Sequence, residues 1–205
     1  MSKSKINKTM KSELNHLLNA LKPKANAKTL DDFINKDNEN WKLKAKAFST
    51  SAGVYSFWWV KGRENFVSGL NRTIVKSGPG KSEITIEIED DLIGANGNDS
   101  ICLYIGKTAG SLQSRIGKHL RLKTMRDHSR GKKIFTEETV STTGQLKRGM
   151  EELFLNEKNV RDLICKNVAV TYVELDGDDN CLTRFYLENL AIGNYLPIIN
   201  LDVER

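Results

Sequence analysis

Ile6, Met10, Leu14, Leu17, Leu18 and Leu21 recur three or four residues apart, the spacing of one helix face, and predict an amphipathic helix over 4–21. Pro23 cannot continue it. Asp31 and Asp32 suit the first turn of a second, shorter helix over 29–35. The pattern then changes period. Residues 53–60, Gly-Val-Tyr-Ser-Phe-Trp-Trp-Val, are β-branched and aromatic and read as a strand, with Trp58 and Trp59 on opposite faces. A short helix near 64–70, a strand over 72–76, a Gly-Pro-Gly turn and a strand over 84–88 follow. In that last strand Ile84, Ile86 and Ile88 alternate with polar residues.

The apolar run 101–105 is a further strand, ending at Gly106 in a tight turn over 107–110. Ser111 is placed to cap the next helix, whose Leu112, Ile116 and Leu120 face the core while Arg115 and His119 stack on a neighbouring face. Residues 123–133 are basic and glycine-containing and read as a loop. Leu146, Met150, Leu153 and Phe154 resume helical spacing over 143–156. A strand over 168–175, a turn at 176–180 and a closing helix from Cys181 complete the pattern, with Phe185 and Leu187 directed to the core. Arg184 and Glu188, four apart, share a face of that helix and fit an ordinary surface ion pair. The fold class is α/β (α+β): a small, mostly antiparallel sheet flanked by helices. Residues 1–49 form an N-terminal helical extension and 50–205 a single domain carrying an insertion at about 61–100.

Composition narrows the class. A chain of 205 residues, 39% hydrophobic and 28% charged, is long enough to bury a real core, and no apolar stretch approaches the roughly 20 residues that span a bilayer. With a polar N-terminus and three scattered cysteines (Cys102, Cys165, Cys181), a cytoplasmic protein with reduced thiols is expected. The net charge of +6 is unevenly spread. Residues 107–133 hold nine Lys or Arg against one Asp, and residues 1–50 hold eleven lysines against five acids. Charge concentrated this way favours a polyanionic partner, although a solvated helix face accounts equally well for the N-terminal lysines. His16 and His128 read as structural or solvated residues. Gly-Pro-Gly-Lys-Ser at 78–82 is not a phosphate loop, because Val75 stands where a Walker motif needs glycine and no helix signal follows Ser82. Asp-Gly-Asp-Asp-Asn at 176–180 lacks the spaced ligands of an EF-hand.

The strand exit and helix start at 101–119 bring Tyr104, Lys107, Arg115 and His119 into one neighbourhood, and convergent cations suit a phosphate. Tyr104-Ile105-Gly106 resembles the second half of the signature of the GIY-YIG nucleases, and Gly53-Val54-Tyr55 resembles the first half with valine for isoleucine. Arg115 and His119 on the following helix, Glu188 on a later helix and Asn200 near the end match the family's order. The resemblance runs from about Ser51 onward. It departs from the usual pattern in the 48 residues between Tyr55 and Tyr104, an insertion of the kind found in restriction-type relatives.

What the resemblance implies is a GIY-YIG fold and a metal-dependent endonuclease, of restriction type, that hydrolyses phosphodiester bonds in double-stranded DNA. Glu188 would hold one Mg²⁺ per active site, with Mn²⁺ able to substitute; a single carboxylate with several waters suits that ion. Arg115 would contact the non-bridging oxygens, and Tyr55 would be the general base, relaying its proton to His119 or leaning on Arg115, Lys107 and the metal. Tyr104 would orient the water or the base, and Asn200 would fix the site through hydrogen bonds. Lys107, Lys118, Arg121, Lys123, Lys147 and Arg148 are candidate contacts to the DNA backbone. Little chain follows Asn200, so target recognition is expected from the insertion, the basic 123–148 region and the N-terminal helices. Cutting both strands of a palindrome calls for a homodimer. A structure-specific repair or recombination nuclease and a non-catalytic DNA-binding module are the alternatives.

Overall fold

A computed structural model of the chain describes residues 3–37, 40–77, 83–94, 99–120 and 144–200. Its centre is a three-stranded antiparallel sheet. Strand β3 (Gly53–Trp59) lies between β6 (Ile101–Thr108) and β7 (Val168–Glu174), in the order β6-β3-β7. Every residue of β3 is buried, which fits a sequence that is apolar or aromatic but for Ser56, whose hydroxyl is hydrogen-bonded. The fold is mixed α/β with small antiparallel sheets, as the pattern predicts.

Alternation along β3 divides the core in two. Tyr55, Phe57 and Trp59 point into one apolar cluster, and Val54 and Trp58 into the other, so the two tryptophans do take opposite faces. The first face is covered by α4 (Leu112–Leu120), α5 (Gln145–Leu153) and α6 (Val160–Asn167), through Ile116, Met150 and Ile164 among others. The second is covered by α1 (Lys3–Ala20) and α7 (Cys181–Tyr195), through Leu18, Leu187 and Ala191. One irregularity matters later. The register between β3 and β6 slips at Phe57/Trp58, so that Tyr104 pairs with Phe57 while Cys102 pairs with Trp58. Leu103 is the extra residue, and the bulge turns both Leu103 and Tyr104 to the Tyr55 face.

The described part of the first fifty residues is built into the domain. The Leu21 carbonyl accepts hydrogen bonds from Ser56 Oγ (2.8 Å), Trp58 Nε1 (2.8 Å) and Thr171 Oγ1 (2.6 Å), and the Tyr195 hydroxyl donates to Leu18 O at 2.8 Å. The segment is also less helical than its composition implies. Only Leu30–Phe33 makes a 3-10 turn where a second helix is predicted, after which β1 (Ile34–Asp37) pairs with β2 (Asn40–Leu43). Ile34 is β-branched and buried, and its packing into the core overrides the helical start signal of Asp31 and Asp32. The insertion contains α2 (Arg63–Gly69), a hairpin of β4 (Thr73–Ser77) and β5 (Glu83–Glu87), and α3 (Asp90–Gly94). Phe66, Ile74, Ile88 and Ile93 bury it against the main core, where Phe66, Trp59 and Phe154 pack ring on ring.

Two elements depart from the expected boundaries around the candidate site. Strand β6 does not stop at Gly106 but continues to Thr108, because Gly106 and Lys107 still pair with Tyr55 and Val54. Helix α7 buries Leu187 but leaves Phe185 largely in solvent. Among the described residues no helix is long and apolar enough to cross a membrane.

Candidate active site

The two signature-like tripeptides lie side by side. Tyr55 of β3 pairs across the ladder with Gly106 of β6, and glycine is required at both ends of the arrangement. A Cβ on Gly106 would lie 2.6 Å from the Tyr55 hydroxyl and 2.9 Å from the Tyr104 ring. A Cβ on Gly53 would collide with the Val173 carbonyl on β7. Both glycines therefore permit close approach of a neighbour rather than an unusual backbone angle.

Helix α4 brings its charged face over Tyr55. Ser111 caps it, accepting from the Ser114 amide at 3.2 Å, and Leu112, Ile116 and Leu120 anchor it in the core. Gln113 tethers the same turn, accepting from the Phe48 amide at 2.7 Å. Four residues apart, Arg115 and His119 then reach the same phenol. Arg115 Nε donates to Tyr55 Oη at 3.2 Å, and Tyr55 Oη lies 2.6 Å from His119 Nε2. Because the phenol oxygen accepts from Arg115, its own hydrogen is available to His119 Nε2. Tyr55 donates to Nε2 in the tautomer that carries the imidazole hydrogen on Nδ1, an atom with no hydrogen-bond partner among the described residues.

His119 is fully buried and boxed by the rings of Tyr55, Phe57 and Tyr104, at centroid distances of 5.4, 5.7 and 4.8 Å. Burial, and secondarily the Arg115 charge, pushes its pKa down to about 3, so it is neutral at physiological pH. Burial pushes the Tyr55 phenol up, against the lowering effect of Arg115. The resting pair is thus a neutral phenol hydrogen-bonded to a neutral imidazole. Tyr104 is likewise raised by burial, and its hydroxyl donates to Gln145 Oε1 at 2.6 Å.

Glu188 approaches from the opposite side of the sheet. Its helix packs on the second face, and its carboxylate forms an ion pair with Lys107 at the end of β6, the edge strand. Its negative charge raises both Tyr55 and Tyr104, so it stands within electrostatic range of the phenols. The Lys107 ammonium also lies 5.2 Å from the centre of the Phe185 ring, one turn before Glu188. Arg184 does not pair with Glu188. It is buried and donates to the carbonyls of Leu175 and Gly177 (2.9 Å to the latter), fixing the entry to α7. Asn200, in the 3-10 turn Ile198–Asn200, bonds both backbone groups of Ile105: its Oδ1 accepts from the amide at 2.7 Å and its Nδ2 donates to the carbonyl at 2.8 Å. A side-chain amide thereby replaces one rung of the strand missing from that edge.

Of the six candidate catalytic residues, Tyr55, Tyr104, Arg115 and His119 form one contiguous group. Glu188 stands beside it across the edge strand, and Asn200 supports the backbone of that strand. Among the candidate DNA contacts, Lys107 and Lys118 are exposed, Lys147 pairs with Glu151 one turn along α5, and Arg148 is half-buried. Arg121, Lys123 and His128, with the rest of the basic stretch, lie outside the described residues, as does the 78–82 segment. Gln145, Gln113 and the Lys107–Glu188 pair are additions that helical or strand spacing alone could not reveal, since each joins elements distant in sequence. Compared with known proteins, the chain matches no family model, no curated protein and no solved structure.

Proposed function

We propose that the protein is a Mg²⁺-dependent endonuclease that hydrolyses phosphodiester bonds in duplex DNA, of restriction type and acting as a homodimer. The observation that carries this reading is the Tyr55 hydroxyl, held 2.6 Å from a neutral histidine and 3.2 Å from an arginine Nε, with a carboxylate in electrostatic range. These groups come from three distant parts of the chain, and so specific a meeting around one phenol suits proton transfer beside an anion. The resemblance of Gly53–Tyr55 and Tyr104–Gly106 to the GIY-YIG signature supports the same reaction.

The residues fit a hydrated Mg²⁺. Among the described residues no group of three or more His, Cys, Asp or Glu could hold a metal. Among the described residues Glu188 is the carboxylate whose charge reaches both phenols, and it already binds a cationic group in Lys107. One carboxylate with waters and phosphate oxygens is a normal shell for this ion, which supplies charge neutralisation at the phosphate and the leaving oxygen when bound. Arg115 adds positive charge beside the phosphate. As water attacks phosphorus, the Tyr55 oxygen takes its proton and Tyr55's own hydrogen passes to His119 Nε2. In the resting protein that transfer is uphill, because His119 is held near pKa 3 and Tyr55 is raised. A phosphodiester bound at Arg115 offsets the guanidinium charge that helps depress His119, which makes the relay easier when substrate is in place.

Incubation with supercoiled plasmid over a range of Mg²⁺ tests the proposal. Nicked or linear product is expected from the wild-type chain and none from Arg115→Ala or Glu188→Ala, with circular dichroism unchanged. Cutting at wild-type rates by either variant removes the assignment.

A further inference from the structure

Helix α7 carries an apolar strip that the core does not use. Phe185 is 48% exposed and Tyr186 59%, Leu182 precedes them by one turn, and the two rings meet edge to face at 5.8 Å between centroids. Exposed aromatic pairs are uncommon on a surface with no task, because each ring removes considerable apolar area from water when it is covered. This strip lies against a cation and a carboxylate. The Lys107 ammonium sits over the Phe185 ring and pairs with Glu188, three residues on and one helical turn away.

From this we infer that Phe185 and Tyr186 form a stacking shelf for a nucleobase released from the helical stack next to the phosphate at Arg115 and Glu188. The inference rests on the nuclease reading and adds to it that one nucleotide beside the cut leaves the stack of the bound duplex, so that DNA already open there binds more tightly. Bases in an intact duplex present only their edges, so a ring face on the protein serves a base that has left the stack. Lys107 favours a nucleotide over an apolar protein segment, since a cation beside the ring complements the phosphate attached to that base. The strip is also a candidate contact between two copies of the chain, and the test separates the two.

The experiment measures fluorescence anisotropy of two labelled duplexes of the same arbitrary sequence, one continuous and one with a central four-nucleotide unpaired loop, in Ca²⁺ to prevent cleavage. The wild-type chain is expected to bind the looped duplex at least about fivefold more tightly, the low end of base–aromatic stacking. In the Phe185→Leu/Tyr186→Leu double variant, which keeps apolar area but removes the ring faces, the preference should disappear. Equal wild-type affinities, or a preference that survives in the double variant, overturns the shelf while leaving the nuclease proposal standing. A fall in sedimentation mass on making the double variant also overturns it and makes the strip a dimer contact. Absence of binding to either duplex overturns both readings.

Discussion

The two sides of strand β6 solve different problems. On the Tyr55 side the groups are buried and their positions over-determined: His119 is enclosed by three rings, Tyr55 contacts both Arg115 and His119, and Gly106 leaves no room for adjustment. On the Glu188 side the groups are partly in solvent. Lys107 and Phe185 are exposed, and the Lys107–Glu188 pair is of a kind that contributes little to stability when wet. Burial holds the resting pair neutral, because a dry environment disfavours both phenolate and imidazolium and keeps the hydrogen on the phenol until a bound phosphate changes the local charge. Exposure suits the contact with ions and nucleic acid, because Lys107 can leave Glu188 at small cost. Under the proposed function, acid–base chemistry belongs to the buried face and charge handling to the exposed one.

Acid should break the buried side first. The His119 pKa is lowered from 6.5 to about 3 in the folded protein, so the unfolded chain binds the extra proton between those values. The stabilisation from keeping this imidazole neutral is complete above pH 6.5 and is lost as pH falls toward 3, at up to about 1.4 kcal/mol per pH unit. Thermal melts of the wild type and of His119→Phe across that range should show the variant's acid limb flattened by close to one proton. Parallel limbs would mean that His119 is not held neutral by its surroundings.

A smaller effect is expected where the edge is pinned. Asn200→Ala removes two hydrogen bonds to the Ile105 backbone, at about 1–3 kcal/mol, or roughly 2–4 °C in Tm per kcal/mol for a chain of this size. Because the lost support adjoins Gly106 and Lys107, hydrogen exchange should rise along β6 and stay unchanged in β7. A uniform rise in both strands would show that Asn200 supports the whole sheet instead.

Much of this arrangement was legible from periodicity. The strands at Gly53–Trp59 and Val168–Glu174 and the helices at Leu112–Leu120 and Cys181–Tyr195 announce themselves in apolar spacing, and the four-residue step from Arg115 to His119 already put both on one helix face. The bulge at Leu103 was not legible, because a register slip is decided by the partner strand, yet it is what turns Tyr104 toward Tyr55. The hydrophobicity of Phe185 points to the core, whereas Leu187 is the residue buried there and Phe185 is half exposed. The Leu21 carbonyl meets side chains from two strands and helps dock the N-terminal segment, a long-range match that no local pattern encodes.

The most direct test of the central claim is the single-turnover cleavage rate of labelled DNA by Tyr55→Phe and wild type at saturating protein and Mg²⁺, with binding measured on the same DNA in Ca²⁺. The account predicts unchanged affinity and a rate lower by on the order of 10²–10⁴-fold, the usual contribution of a general base. A Tyr55→Phe rate within a few-fold of wild type would contradict it.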